Sequence, residues 1–242
     1  MAHRSEICAY GDRSMCEAGG SGGAGRTRAA RVAGLLLALG FCPLLWATDL
    51  QVRVLQHNGQ PLRGAVITVH ALGPAVAPAA AVQAVMDQVD LAFTPDVLVV
   101  PVGSTVSFPN TDKVSHEVYS FSSAHPFKLG LYRGSAHPPE HFDRVGVVTL
   151  GCNIHDAMLA YIVVTDAAYY GRSGADGSWT QPDVARGRYR VEVWSPRLQE
   201  AGQLLTREIA VNAGDHAMAE IRATKALRPA QLQQRPHSWD AY

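Results

Sequence analysis

Cysteine, charge of one sign and long apolar runs are all scarce in this chain. Its 242 residues contain four cysteines, and three of them, Cys8, Cys16 and Cys42, lie in the first 47 positions. Lys and Arg together number 21, and so do Asp and Glu, so there is no bulk field to draw the protein onto nucleic acid or an anionic membrane. The one long apolar run, within RVAGLLLALGFCPLLWA at 31–47, is short for a membrane span. No nucleophile elbow, phosphate-cradling glycine loop or dinucleotide-binding turn is found, which removes common signatures of hydrolases and nucleotide-using enzymes. A hydrophobic content of 47% still provides for one large core or two small ones.

The apolar run follows Arg26, Arg28 and Arg31 and ends at Ala47 before the polar Thr48-Asp49. That order reads as a secretory signal, so residues 1–47 are expected to be an N-terminal extension and signal peptide, with no membrane span after cleavage. Phe41 before Cys42 stands where a lipoprotein signal needs a small residue. Five basic and three acidic residues leave with 1–47, so the remainder is faintly acidic, with 16 against 18. Only Cys152 remains. A single thiol cannot close an internal disulfide, and an oxidising compartment attacks an idle exposed one, so a metal is the first explanation for it.

Glycine (22) and proline (14) recur at turn-like intervals, which favours short strands over long helices and an all-β fold. Residues 48–72 alternate apolar and polar, break at Asn58-Gly59 and alternate again, as a hairpin does. Residues 73–86 continue an Ala- and Pro-rich stretch with neither strand alternation nor a helical polar face, and read as a linker. Between 87 and 165, VDLAF, DVLVVPV, STVSFPN, EVYSFS, VGVVTL and LAYIVV are strand candidates for a β-sandwich. Residues 166–225 continue the β pattern, and 226–242, with Pro229, Pro236 and several Gln, read as a flexible tail.

The chemistry concentrates in VVTLGCNIHDAMLAYIVV, where Cys152, His155 and Met158 share one seven-residue loop between two strands. Thiolate, imidazole and thioether together suit copper; zinc fits less well, because its structural sites usually bring several cysteines. A further ligand must come from elsewhere. His116, after the turn in FPNTDKVSHEVYSF, starts a strand from which it can reach a neighbouring loop. Read blandly, Cys152 is an inert buried thiol, Met158 is core filler, and the two histidines are surface or capping residues. His125, His137 and His141, in a Pro-rich loop, form a weaker candidate for a second metal patch.

This loop, with the upstream His after a Phe-Pro-Asn turn, resembles the cupredoxins of the plastocyanin and amicyanin type. The wider match, from FTPDVLVVPVGSTVSFPNTD through FKLGLYRG to GVVTLGCNIHDAMLAYIVVTD, resembles a periplasmic plastocyanin-like group often labelled methylamine utilisation proteins. The resemblance implies a Greek-key β-sandwich over 87–165 holding one type 1 copper ion. It makes His116, Cys152 and His155 the equatorial ligands and Met158 a weak axial one. Where that family often has Asn after the first ligand, this chain has Glu117; the backbone bond from that position to the ligand sulfur can persist, but the resemblance does not carry the Asn side-chain brace over to Glu117. Asn110, by its position, is a candidate to support the ligands by hydrogen bonds rather than to bind the metal.

VRVLQHNGQPLRGAVITVHAL and DGSWTQPDVARGRYRVEVW look like the front and back of a transthyretin-like, carboxypeptidase-regulatory-like sandwich, which the middle domain would interrupt. The alternative is an N-terminal hairpin added to the middle domain. Trp179 and Trp194 are expected to pack this second sandwich, and Phe93, Phe108 and Phe142 the first.

The function implied is single-electron transfer in the periplasm without an enzymatic activity. Its partner would be a redox protein such as a c-type cytochrome or a periplasmic dehydrogenase, meeting an apolar patch of Ile154, Ala157 and Leu159 around His155. A copper oxidase needs further sites, typically His-x-His pairs, and this chain has none. A copper carrier or sensor with no shuttle role is the binding-class alternative.

Overall fold

The computed structural model describes residues 48–73, 76–155, 157–212, 214 and 216–230. Residues 1–47, read from the sequence as an N-terminal extension and signal peptide, and their three cysteines fall outside the described residues, as does the tail beyond 230. In chain order the strands are β1 (Thr48–Leu55), β2 (Val66–Ala71), β3 (Gln83–Val85), β4 (Asp87–Val89), β5 (Ala92–Thr94), β6 (Val97–Pro101), β7 (Ser104–Ser107), β8 (His116–Ser120) and β9 (Phe127–Tyr132). There follow β10 (Glu140–Phe142), β11 (Gly146–Gly151), β12 (Leu159–Thr165), β13 (Tyr169–Arg172), β14 (Ser178–Val184), β15 (Gly187–Trp194), β16 (Leu204–Val211) and β17 (Ala217–Arg222). The fold is all-β. Among the described residues no helix is long and apolar enough to cross a membrane.

Two cores form. The first lies between the five-stranded sheet β6-β12-β11-β8-β9 and the smaller sheets β10-β7-β3 and β4-β5. Period-two alternation sends Val148 and Leu150 of β11, and Ala160, Ile162 and Val164 of β12, inward against Phe93, Phe108 and Phe142. The second lies between β14-β1-β17 and β13-β2-β15-β16. It takes Leu50, Val52 and Val54 from β1, Ile67 and Val69 from β2, and Tyr189, Val191 and Val193 from β15. β1 pairs in parallel with β17, so strands from both ends of the described chain complete this core.

A small third cluster joins them. Val97 and Val163, on the outer face of the five-stranded sheet, meet Val66 and Trp194, and the Tyr161 and Trp194 rings pack edge to face at 5.4 Å. Trp194 therefore belongs to this contact rather than to the inside of the second sandwich, whereas Trp179 packs against the second core. The Arg172 guanidinium crosses the same boundary, donating to the Gly64 and Val97 carbonyls and to Asp96.

Two boundaries differ from the sequence reading. The segment read as a linker through 86 contains β3, which pairs in parallel with β7, and Met86 is fully buried in the first core. Its backbone finds a ladder partner 22 residues on, which local alternation cannot reveal. The tail read from Ala226 begins with held residues: Leu227 packs on the second core, and the Arg228 N–H donates to the Arg197 carbonyl at 2.8 Å.

Candidate metal centre

β11 ends at Gly151, Cys152 follows it, and the loop returns to the sheet at β12 one residue after Met158. The Met158 N–H donates to the His155 carbonyl at 2.9 Å and closes the loop tightly. His116 is the first residue of β8, which lies beside β11. Three of the four expected ligands thereby converge: Cys152 Sγ lies 3.7 Å from His116 Nδ1 and 3.9 Å from His155 Nδ1, and the two nitrogens are 3.2 Å apart. Met158 is buried at the end of the loop, in the same core cluster as Cys152.

These separations fit one shared ion. A trigonal metal with S and N ligands at ~2.3 and ~2.0 Å has donor–donor edges of ~3.7 Å (S to N) and ~3.5 Å (N to N). A soft thiolate between two imidazoles matches a copper donor set. Among the described residues this trio is the one such group of His, Cys, Asp or Glu side chains. His125 instead pairs with Glu140 at 3.2 Å and packs on Phe142, and His137 sets its ring against Tyr132. His141 lies on β10.

The electrostatics favour a thiolate. Burial pushes the Cys152 thiol up, but hydrogen bonds from His116, from the Glu117 and Ile154 backbone N–H groups and from His155 outweigh it and bring the thiol down to about 6. Burial pushes His116 down, yet its hydrogen bonds to Cys152 and Asp112, with their charges, hold it above its ordinary value.

The backbone bond from position 117 to the sulfur is thus present, while the Glu117 carboxylate turns to Lys128 at 3.1 Å. Bracing comes from Asn110, whose amide donates to the Val114 and Tyr132 carbonyls at 2.9 and 2.8 Å and accepts from the Asp112 N–H. The sequence reading missed Asp112, whose Oδ2 lies 3.0 Å from His116 Nε2. The only local signal was an Asx-type spacing in Asn110-Thr111-Asp112. It also missed Gln88, fully buried, which donates to the Tyr132 hydroxyl at 2.6 Å and to the Pro109 carbonyl at 3.0 Å, tying β4 to the turn before His116.

Only part of the site faces outward. His116, Cys152 and Met158 are buried, while His155 is half-buried between an exposed Ile154 and the chain leading to the exposed Ala157.

No protein-family model and no curated protein matches this chain. Among solved structures it is similar to a purple cupredoxin from Nitrosopumilus maritimus, with 21% identity and a TM-score of 0.31 over 34% of this chain and 99% of that one. It is similar to an oxidised methionine-to-leucine variant of amicyanin, with 20% identity and a TM-score of 0.30 over 40% of this chain and 99% of that one. A copper-containing nitrite reductase from Thermus scotoductus gives 23% identity and a TM-score of 0.32 over 46% of this chain but only 28% of the reductase.

Proposed function

We propose that this chain is a cupredoxin-type protein that holds one type 1 copper ion and carries single electrons between periplasmic redox partners. The observation that carries the reading is the meeting of two imidazole Nδ1 atoms and one buried sulfur, all within 3.9 Å of each other, at the end of a β-sandwich. His116, Cys152 and His155 would hold the metal, with Met158 as a weak axial ligand. Bound copper supplies the one-electron chemistry. The chain supplies a thiol ionised near neutral pH, loops braced by Asn110 and the sheet, and exclusion of water from His116 and Cys152. A site so braced resists rearrangement between oxidation states, as electron transfer requires.

His155 is the proposed conduit, with Ile154, Ala157 and Leu159 as the docking patch for a c-type cytochrome or a dehydrogenase. We read the two cores as two domains, the second formed by 48–72 and 166–225 around the first. Export rests on the segment before Thr48, and the methylamine-utilisation likeness remains a matter of sequence resemblance.

The test is the visible spectrum and voltammetry of the purified protein with Cu(II). An intense thiolate-to-copper band with a reversible one-electron wave supports the reading. Colourless binding, or binding of Cu(I) alone without reversible oxidation, assigns the chain as a copper carrier or sensor instead.

A further inference from the structure

Behind the His116 ring, on the side away from Cys152, lies a carboxylate. Asp112 sits four residues earlier on the turn between β7 and β8, with its side chain 6% exposed and that of His116 fully enclosed. Its Oδ2 accepts from His116 Nε2 at 3.0 Å and from the Leu91 N–H at 2.8 Å, and its Oδ1 accepts from the Lys113 N–H at 2.6 Å. An ionised carboxylate can only accept, so in this contact Nε2 carries the hydrogen; the protonated ring also donates from Nδ1 to the Cys152 sulfur, whereas in the neutral ring Nδ1 keeps its lone pair toward Cys152 and His155.

The carboxylate is itself held from a distant part of the chain. Leu91 belongs to the two-residue turn between β4 and β5, where Asp90 and Leu91 both take left-handed backbone angles (φ 50° and 57°). That conformation is unfavourable for leucine. Burial of the Leu91 side chain and the bond from its N–H to Asp112 hold it there.

We propose that Asp112 is the positioning residue of the metal centre: it fixes the tautomer and direction of the His116 ring, and it sets a negative charge behind it that favours the oxidised state of a bound ion. This rests on the copper reading above for its redox part, whereas the ring orientation stands without it. Partners of this kind, when removed, typically cost about 10–100-fold in metal affinity.

The test uses Asp112→Asn, which keeps an acceptor oxygen but no charge, and Asp112→Ala, which removes both, in the full chain. Proton–nitrogen correlation spectra of the metal-free protein at alkaline pH should show His116 protonated at Nε2 in the wild type and in Asp112→Asn, and a mixture of tautomers in Asp112→Ala. Copper affinity should fall by about 10–100-fold in Asp112→Ala and by much less in Asp112→Asn, with the reduction potential raised in both. An unchanged tautomer and affinity in a folded Asp112→Ala protein overturns the positioning role, and an unchanged potential in Asp112→Asn overturns the charge role. If the wild type binds no copper, the electron-carrier reading fails, and the tautomer spectra still decide what Asp112 does.

Discussion

Cys152 Sγ and His116 Nδ1 stand 3.7 Å apart although 36 residues separate them in the chain. The contact exists because β11 and β8 are neighbours in one sheet, with Gly151 opposite Tyr119, so that Cys152 leaves the sheet beside the start of β8. In the metal-free protein this closeness has a measurable consequence. The thiol, brought from 9.0 to about 6, should show thiolate absorbance with a midpoint near pH 6. Because the folded-state value is the lower one, ionised Cys152 stabilises the fold fully above about pH 9, and this contribution is lost as pH falls through about 6. His116, raised, acts in the opposite sense: its contribution is present below 6.5 and fades as pH rises through the folded value. A midpoint near 9 would mean that the hydrogen bonds to sulfur do not persist in solution.

Replacing Cys152 with Ser should abolish both the visible band and the reversible wave while far-ultraviolet circular dichroism stays β-type. Met158→Leu, close in volume, should keep the colour, shift the potential and cost less than about 1.5 kcal/mol in denaturant unfolding. Loss of colour in Met158→Leu would make Met158 more than a weak axial ligand.

Ile154 is 49% exposed beside His155, and the docking patch predicts its role. Ile154→Lys should leave the spectrum unchanged but slow electron self-exchange between oxidised and reduced copies by about tenfold, since two like charges then meet at the contact. Self-exchange at the wild-type rate would place electron entry elsewhere.

Trp194 packs on Tyr161 across the boundary between the two sandwiches and is 5% exposed. Trp194→Ala should destabilise the protein by about 3–5 kcal/mol and split one unfolding transition into two, with the copper band following only one of them. A single shared transition in the variant would argue against two domains.

Material recovered from the periplasm should have an intact mass that lacks residues 1–47, and with them Cys8, Cys16 and Cys42. A mass that includes them would identify an anchored or unprocessed form.

Much of this protein was legible in the sequence where the information is local. Alternation in VVTL and LAYIVV set two adjacent strands, and three-residue spacing put Cys152, His155 and Met158 on one short loop whatever surrounds it. The same run hinted at more, because Tyr161 and Val163, at positions that alternation would leave facing solvent, are apolar as well. A second layer covers them, but nothing nearby says that the layer is Val66 and Trp194.

By itself, then, the chain determined the β class, the ligand loop and the single thiol beyond position 47, since these follow from residue types at short separations. Only the tertiary structure decided which nitrogen of His116 faces the sulfur, that Asp112 stands behind the ring, and that an Ala-rich stretch ends in a strand beside β7 with Met86 buried. The reason is physical: the parallel pairing of β3, and the Leu91 N–H that holds Asp112 behind the ring, involve partners 20 or more residues away, and periodicity carries no record of those partners.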